Sequence, residues 1–148
     1  MQISHLLADR SVDDIIACTA QDSVRDAVAR LAGKRIGAMP VLGSAEGEGV
    51  ELLGVFSERD VIYRLAEEGS PCLDRPVASV MSAPAITATP DMTVDEAQGL
   101  MTRRRIRHLP VVDGRELSGF ISIGDLVKSK IGEVESEAEA MRSYIQSS

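Results

Sequence analysis

Gly54-Val55-Phe56-Ser57-Glu58-Arg59-Asp60 decides how this chain is read, because it returns as Gly119-Phe120-Ile121-Ser122-Ile123-Gly124-Asp125. Both read glycine, two apolar residues, serine, two further residues, aspartate. Each follows an apolar-Pro-Val step, Met39-Pro40-Val41 and Leu109-Pro110-Val111. The match extends outward: Val24, Ala27, Arg35, Ile36, Pro40 and Val41 recur 70 positions later as Val94, Ala97, Arg105, Ile106, Pro110 and Val111. The serines and aspartates recur after 65. The difference falls in the hairpin between them, Gly43–Gly49 against Asp113-Gly114, where an exposed loop tolerates a change of length. One supersecondary unit has been duplicated. Two copies are too few for a solenoid, so they should pack on each other about a pseudo-twofold axis.

Hydrophobic periodicity supplies the elements around the motif. Residues 1–16 read as a short leading helix, and Ile16 to Thr19 as an extended piece. A helix capped by Asp22 or Ser23 buries Val24, Ala27, Val28 and Leu31 and stops at Gly33. Strand Ile36–Leu42 carries Pro40, which marks an edge or a strand end. Gly43–Gly49 forms a solvated hairpin loop, Val50–Phe56 is the return strand, and a helix from Ser57 to about Glu68 turns Val61, Ile62 and Leu65 inward. In the second half Val77, Val80 and Met81 make a helical turn and Ala85–Ala88 an extended piece. Thr93 and Glu96 then have capping-box spacing before a helix burying Val94, Ala97, Leu100 and Met101. Strands Ile106–Val112 and Leu117–Ser122 and a helix from Gly124 to about Ile131 follow. The expected organisation is a first unit over 1–68, a linker over 69–76, a second unit over 77–131 and an amphipathic helix over 132–148. The stripe on that last helix, Ile131, Val134, Ala138, Met141 and Ile145, either packs on its own domain or crosses to another subunit. With fewer than three heptads it is too short for a free-standing coiled coil.

A chain of 148 residues holds one compact domain or two very small ones. Aromatic residues make up only 3%, so the core must be aliphatic. The formal charge of −7 disfavours non-specific binding to nucleic acid or an anionic membrane. No apolar run approaches a bilayer span, and the acid-rich N-terminus does not resemble a signal peptide. Cys18 and Cys72 lie too far apart for a redox or zinc motif and read as buried small residues. The chain reads as a reduced, cytoplasmic protein.

Ser-x-x-Asp before an apolar helical run is first of all a helix cap. Its setting adds more. The glycine lets backbone approach closely, the serine lies where free N–H groups and the helix dipole favour an anion, and the aspartate can accept from vicinal hydroxyls, as acidic residues do for ribose. The Pro-containing strands offer unpaired backbone groups to a base. Basic residues are placed unequally: Arg107 and His108 replace Gly37 and Ala38 of the first copy. Consecutive strand residues face opposite sides, so at least one of the two should point into a cleft, where it can meet phosphate. His108 has no partner cluster suited to catalysis or metal binding.

Two apolar-x-apolar-Pro strands, each followed by Gly-h-x-Ser-x-x-Asp and a helix, resemble a tandem pair of cystathionine-β-synthase (CBS) domains over about residues 1–131. The resemblance implies an α+β fold of two β-α-β-β-α units about a pseudo-twofold axis, with sheets packed face to face and two related clefts. It implies binding of adenosine derivatives (AMP, ADP, ATP, sometimes NAD or S-adenosylmethionine) as regulatory ligands, and dimerisation into a flat disc. By position, Asp60 and Asp125 would bind ribose, and Ser57 and Ser122 phosphate or ribose. Gly37, Ala38, Met39 and Pro40 would line one base and phosphate path and Arg107, His108, Leu109 and Pro110 the other, with Arg59, Thr19 and Thr89 as further candidates. The expected function is a sensor that signals to a separate protein partner, without catalysis or a catalytic cofactor. A ligand-independent dimeric scaffold, or an S-adenosylmethionine binder, is the alternative.

Overall fold

A computed structural model describes residues 1–44 and 50–147. Helix α1 (Ile3–Leu6) is shorter than the sequence suggests, and a 3-10 turn at Val12–Asp14 follows it. The first half continues with β1 (Cys18–Thr19), α2 (Val24–Lys34), β2 (Ala38–Ser44), β3 (Val50–Ser57) and α3 (Glu58–Glu68). The second half has α4 (Val94–Arg104), β4 (His108–Asp113), β5 (Glu116–Ser122) and α5 (Ile123–Ser147). Its counterpart of β1 is a single parallel bridge between Ala88 and Val111, matching the pairing of Cys18 with Val41. The expected loop over 43–49 begins later, since β2 runs to Ser44; residues 45–49 lie outside the described residues.

The caps form where the sequence places them. Ser23 Oγ accepts from the Asp26 N–H at 3.1 Å, and Thr93 Oγ1 from the Glu96 N–H at 3.1 Å. The stop at Gly33 does not occur. Helix α2 passes it and is closed by Arg35 in the left-handed region, φ 54°, with Arg105 at φ 55° closing α4. The Ile36 N–H returns to the Leu31 carbonyl at 3.1 Å, and Ile106 to Met101 at 3.0 Å. These are Schellman bonds, which hold a non-glycine residue in a conformation costing roughly 1–2 kcal/mol.

The strands lie in the order β1-β2-β3-β5-β4. Each half is an antiparallel hairpin with a register shift at the same place, Val41/Leu42 and Val111/Val112. Among the described residues the two hairpins share one ladder rung, Glu51 to Glu116.

Packing crosses the order of the chain. The first core gathers Val24, Leu31, Met39, Val41 and Phe56, and is completed by Val77 and Val80. The second gathers Val94, Met101, Leu109, Val111 and Ile121, and is completed by Ile3. Backbone bonds fix both exchanges: Val77 N–H to the Asp22 carbonyl (2.8 Å) and Ile3 N–H to the Met92 carbonyl (2.9 Å). The segment leading each half therefore docks on the other half. The 69–76 connection is not slack either, since it forms a 3-10 turn at Ser70–Asp74 around a fully buried Cys72.

Two inward expectations fail. On α3 only Val61 is buried, while Ile62 is 60% and Leu65 38% exposed. Helix α5 does not end near Ile131 but continues unbroken to Ser147, and its stripe is exposed rather than packed on its own domain.

Ile3→Ala should cost about 2–5 kcal/mol, the usual price of emptying a buried aliphatic site, read as a lowered urea midpoint. An unchanged midpoint would mean that the N-terminal segment is not docked in the second core.

Candidate functional site

The site grows from the strand-to-helix junction of the repeated motif. Ser57 ends β3 in extended conformation and caps α3, its Oγ accepting from the Asp60 N–H at 3.3 Å. The Asp60 carboxylate reaches back, Oδ2 accepting from the Ser57 N–H at 2.9 Å and its hydroxyl at 3.1 Å. Ser122 and Asp125 repeat this at 2.8 and 3.2 Å. The helix-cap reading of the motif is thus realised in both copies. The first N–H of each helix is also taken across the hairpin: Glu58 donates to the Gly37 carbonyl (2.9 Å) and Ile123 to the Arg107 carbonyl (2.8 Å).

Each carboxylate also borders a cavity. The first, about 170 Å³, is lined by Gly37, Ala38, Ser57, Glu58, Arg59, Asp60, Ser82, Pro84–Ile86, Arg107 and His108. The second, about 320 Å³, is lined by Asp9, Arg10, Ser11, Asp14–Ile16, Ala38, His108, Gly119, Phe120, Ser122 and Asp125. Ala38 and His108 stand at the boundary and face both. Both of these cavities draw on both halves, because the crossed leading segments supply one wall.

The motif glycines make that wall possible. A Cβ on Gly54 would lie 2.7 Å from the Ser82 carbonyl oxygen, and one on Gly119 would lie 2.5 Å from Leu7 Cδ1. Without side chains there, Ser82 pairs with Val55 through two backbone bonds (2.9 and 3.0 Å). The close approach is made by the protein's own chain.

The two carboxylates differ in their third partner. Ser82 Oγ donates to Asp60 Oδ1 at 2.8 Å. Asp125 instead receives a two-pronged ion pair from Arg10, at 2.8 and 3.3 Å. Burial pushes the Asp125 carboxyl up, but the Arg10 guanidinium and the Ser122 N–H and hydroxyl outweigh it and hold it below the ordinary aspartate range. His108 stacks on Phe120 with ring centroids 5.6 Å apart. Burial, helped by the neighbouring Arg107 charge, lowers its pKa. Arg107 pairs with Glu58 at 3.2 Å, both more than half exposed. Arg59 donates to the Arg105 carbonyl at 2.8 Å.

Of the candidates from sequence, Gly37, Ala38, Ser57, Arg59, Asp60, Arg107 and His108 meet at the first cavity, and Ala38, His108, Ser122 and Asp125 at the second. Met39, Pro40, Leu109 and Pro110 are buried strand residues that line neither. Thr19, at the end of β1, and Thr89, just after the Ala88 bridge, are exposed and bonded to Asp22 and Asp91. The edge expected at the prolines is only partial, since β1 or Ala88 pairs from Val41 and Val111 onward, and the Pro110 carbonyl accepts from Ala88. Sequence reasoning missed Arg10, Ser82 and both leading-segment walls. The 70-residue offset carried a signal, because it equates Asp14–Ile16 with Pro84–Ile86.

A crossed pair of such units with two related clefts is the architecture of a CBS domain pair. The CBS domain family model matches residues 8–67 and 77–132. The chain belongs to the CBS domain family. It is 35% identical over 131 residues to the mitochondrial CBS domain-containing protein CBSX3 of Arabidopsis thaliana, a match covering 87% of this chain and 63% of that relative. Among solved structures, the CBS-domain containing protein ATU1752 from Agrobacterium tumefaciens superposes with TM-score 0.77 at 32% identity, covering 87% of this chain and 92% of that one. CBSX2 in complex with AMP matches at TM-score 0.73 and 21% identity (88% and 96% covered). The MJ0100 CBS pair from a complex with 5′-methylthioadenosine and S-adenosyl-L-methionine matches at 0.73 and 22% (90% and 98%). At those identities the last two establish the fold alone.

Because its folded pKa is depressed, Asp125 contributes stability above its unfolded value of about 4, and that contribution is lost as pH falls through the folded value. Titration followed by carboxyl NMR should place Asp125 below the ordinary aspartate range and move it upward in Arg10→Gln. A native carboxyl titrating at about 4 would mean that the ion pair does not form in solution.

Proposed function

We propose that the protein is a non-catalytic regulatory module that binds adenosine-containing ligands in its two clefts and signals to a partner protein, acting as a cytoplasmic homodimer. The observation that carries this reading is the placement of Asp60 and Asp125, each on the wall of a cavity built from both halves. A carboxylate there can exchange its internal partner for vicinal ribose hydroxyls. Family membership supports the ligand class, as do the AMP complex of CBSX2 and the adenosyl ligands of the MJ0100 complex. Arg107 and Arg59 at the first cleft suit AMP, ADP, ATP or NAD through their phosphates. Ligand pockets usually span about 300–1,000 Å³, so the first cleft, near 170 Å³, widens on binding. The solvated Arg107–Glu58 pair is the contact that yields.

Two observations favour other readings. The second cleft carries Asp9, Asp14 and Asp125 against a single Arg10, which suits a cationic adenosyl ligand such as S-adenosylmethionine better than a phosphate. Both Ser–Asp pairs are also internally satisfied as reciprocal caps, which is all that a ligand-free scaffold would need.

Thermal shift separates these readings. A ligand that binds only the folded state at 100 times its Kd adds about 2.7 kcal/mol. AMP, ATP, NAD or S-adenosylmethionine at millimolar concentration should raise Tm, and indifference to all four would leave the scaffold. Asp60→Ala should weaken nucleoside binding by about 1.5–3 kcal/mol. Arg107→Ala should cost AMP more than adenosine, and equal losses would remove Arg107 from the phosphate path.

A further inference from the structure

Residues 134–147 of α5 are exposed without exception, yet alone they would make a poor helix. A segment of about 15 residues is marginal in water. Gly132 at its base has no neighbour that a side chain would meet, and glycine weakens a helix interior. Glu133 and Glu137, then Glu135 and Glu139, stand four residues apart and repel. The segment needs an external support that is apolar on one side and basic beside it.

The apolar residues specify which. Val127, Ile131, Val134, Ala138, Met141 and Ile145 follow steps of four and three throughout, and the large ones are 48–65% exposed. Contacts between α5 and its own domain fall beside this stripe, at c and g: buried Leu126, Lys130 bonded to Asp95, and Glu133 paired with the N-terminus. In heptad terms Ile131, Ala138 and Ile145 occupy a, and Val127, Val134 and Met141 occupy d. β-Branched residues at a suit two parallel strands when leucine stands at d; here Val127, Val134 and Met141 take the d places, so the direction of pairing rests on the flanking charges.

The flanking charges choose the orientation. Lys128, Glu135 and Arg142 fall at e, and Lys130 and Glu137 at g. In a parallel, in-register pair each g residue meets the e residue five positions on in the other helix. Glu137 then faces Arg142 twice, and Lys130, which bonds Asp95 of its own domain, comes beside Glu135 twice. The antiparallel arrangement over the same seam sets Glu137 against Glu137, Glu135 against Glu135 and Lys128 against Arg142. A shorter antiparallel overlap joining Lys128 to Glu135 leaves Met141 and Ile145 uncovered.

We propose that α5 pairs with α5 of a second copy of this chain as a parallel, in-register two-stranded coiled coil over Val127–Ile145. The pairing names the surface and direction of assembly and is independent of the ligand reading. Its first turns are held by the folded domain, which supplies the nucleus that a free peptide of this length lacks.

Sedimentation equilibrium of the full chain tests the seam, and oxidative cross-linking tests its direction. The expected result is a dimer whose Kd rises at least about tenfold in Met141→Asp. Glu137→Lys should also raise it, with recovery in the double variant Glu137→Lys/Arg142→Glu. In the parallel pair the two copies of position 138 are adjacent, so Ala138→Cys should form a disulfide dimer under mild oxidant. The native Cys18 and Cys72 are buried and should not. All substituted positions are exposed, and circular dichroism verifies the fold of each variant. A monomer at about 100 µM overturns the proposal. So does a dimer indifferent to Met141→Asp, which would point to another face such as Ile62 and Tyr63 on α3, and so does a dimer of Ala138→Cys that does not cross-link.

Discussion

The crossed docking of the two leading segments is the constraint on which everything else in this molecule depends. Neither half completes its core from contiguous sequence: Ile3 fills a place beneath Val94 and Met101, and Val77 fills the equivalent place beneath Val24 and Leu31. Burying one such side chain is worth about 1.5–3 kcal/mol, and paired backbone bonds on each side set its register. Separating the halves would expose both residues at once. A single inter-sheet rung, Glu51 to Glu116, could not keep the halves together. The exchange does so, and it also lays residues 82–86 and 9–16 along the two clefts.

Duplication made the clefts alike, and subsequent substitution made them unlike at the point of contact. Asp60 gives its free oxygen to a neutral hydroxyl, Asp125 to a guanidinium. Exchanging Ser82 for the hydroxyl of a ligand replaces one neutral donor with another. Removing Arg10 from Asp125 breaks an ion pair at a half-buried site, where an unpaired charge is expensive. On the proposed reading, a ribose would meet different resistance in the two places. The difference arises from residues outside the motif.

The hairpins and the helix caps were legible because periodicity and cap chemistry act within a few residues and survive any tertiary context. The duplication was legible because one half of the chain can be set against the other at a constant offset. What was not legible is long-range. The sequence order of Ile3 assigns it to the first half, and only the bridge of Gln2 with Thr93, with Ile3 N–H on the Met92 carbonyl and Val94 N–H on the Met1 carbonyl, shows where it packs. Arg10 has no local mark at all. Gly33 looked like a stop because glycine usually takes the left-handed position, yet the Schellman bonds put Arg35 there. Met39 and Leu109 were placed at the ligand because they neighbour lining residues, but strand alternation turns them into the cores.

The inequality of the clefts extends to their outputs. Helix α3, which begins at the Ser57–Asp60 cap, stops at Glu68 against the connection to the second half. Helix α5, which begins at the Ser122–Asp125 cap, continues for 25 residues, about 37 Å at 1.5 Å per residue. One continuous element thus has its capping carboxylate in the second cleft and its exposed seam at the far end. Transmission along such an element needs a contact with two discrete arrangements, and the Arg10–Asp125 ion pair is the contact that stands at its cleft end. The first cleft has no helix of this reach, and it shares lining residues with the second cavity. Ala38 and His108 are those residues, and the ring of His108, stacked on Phe120, is the larger part of the partition.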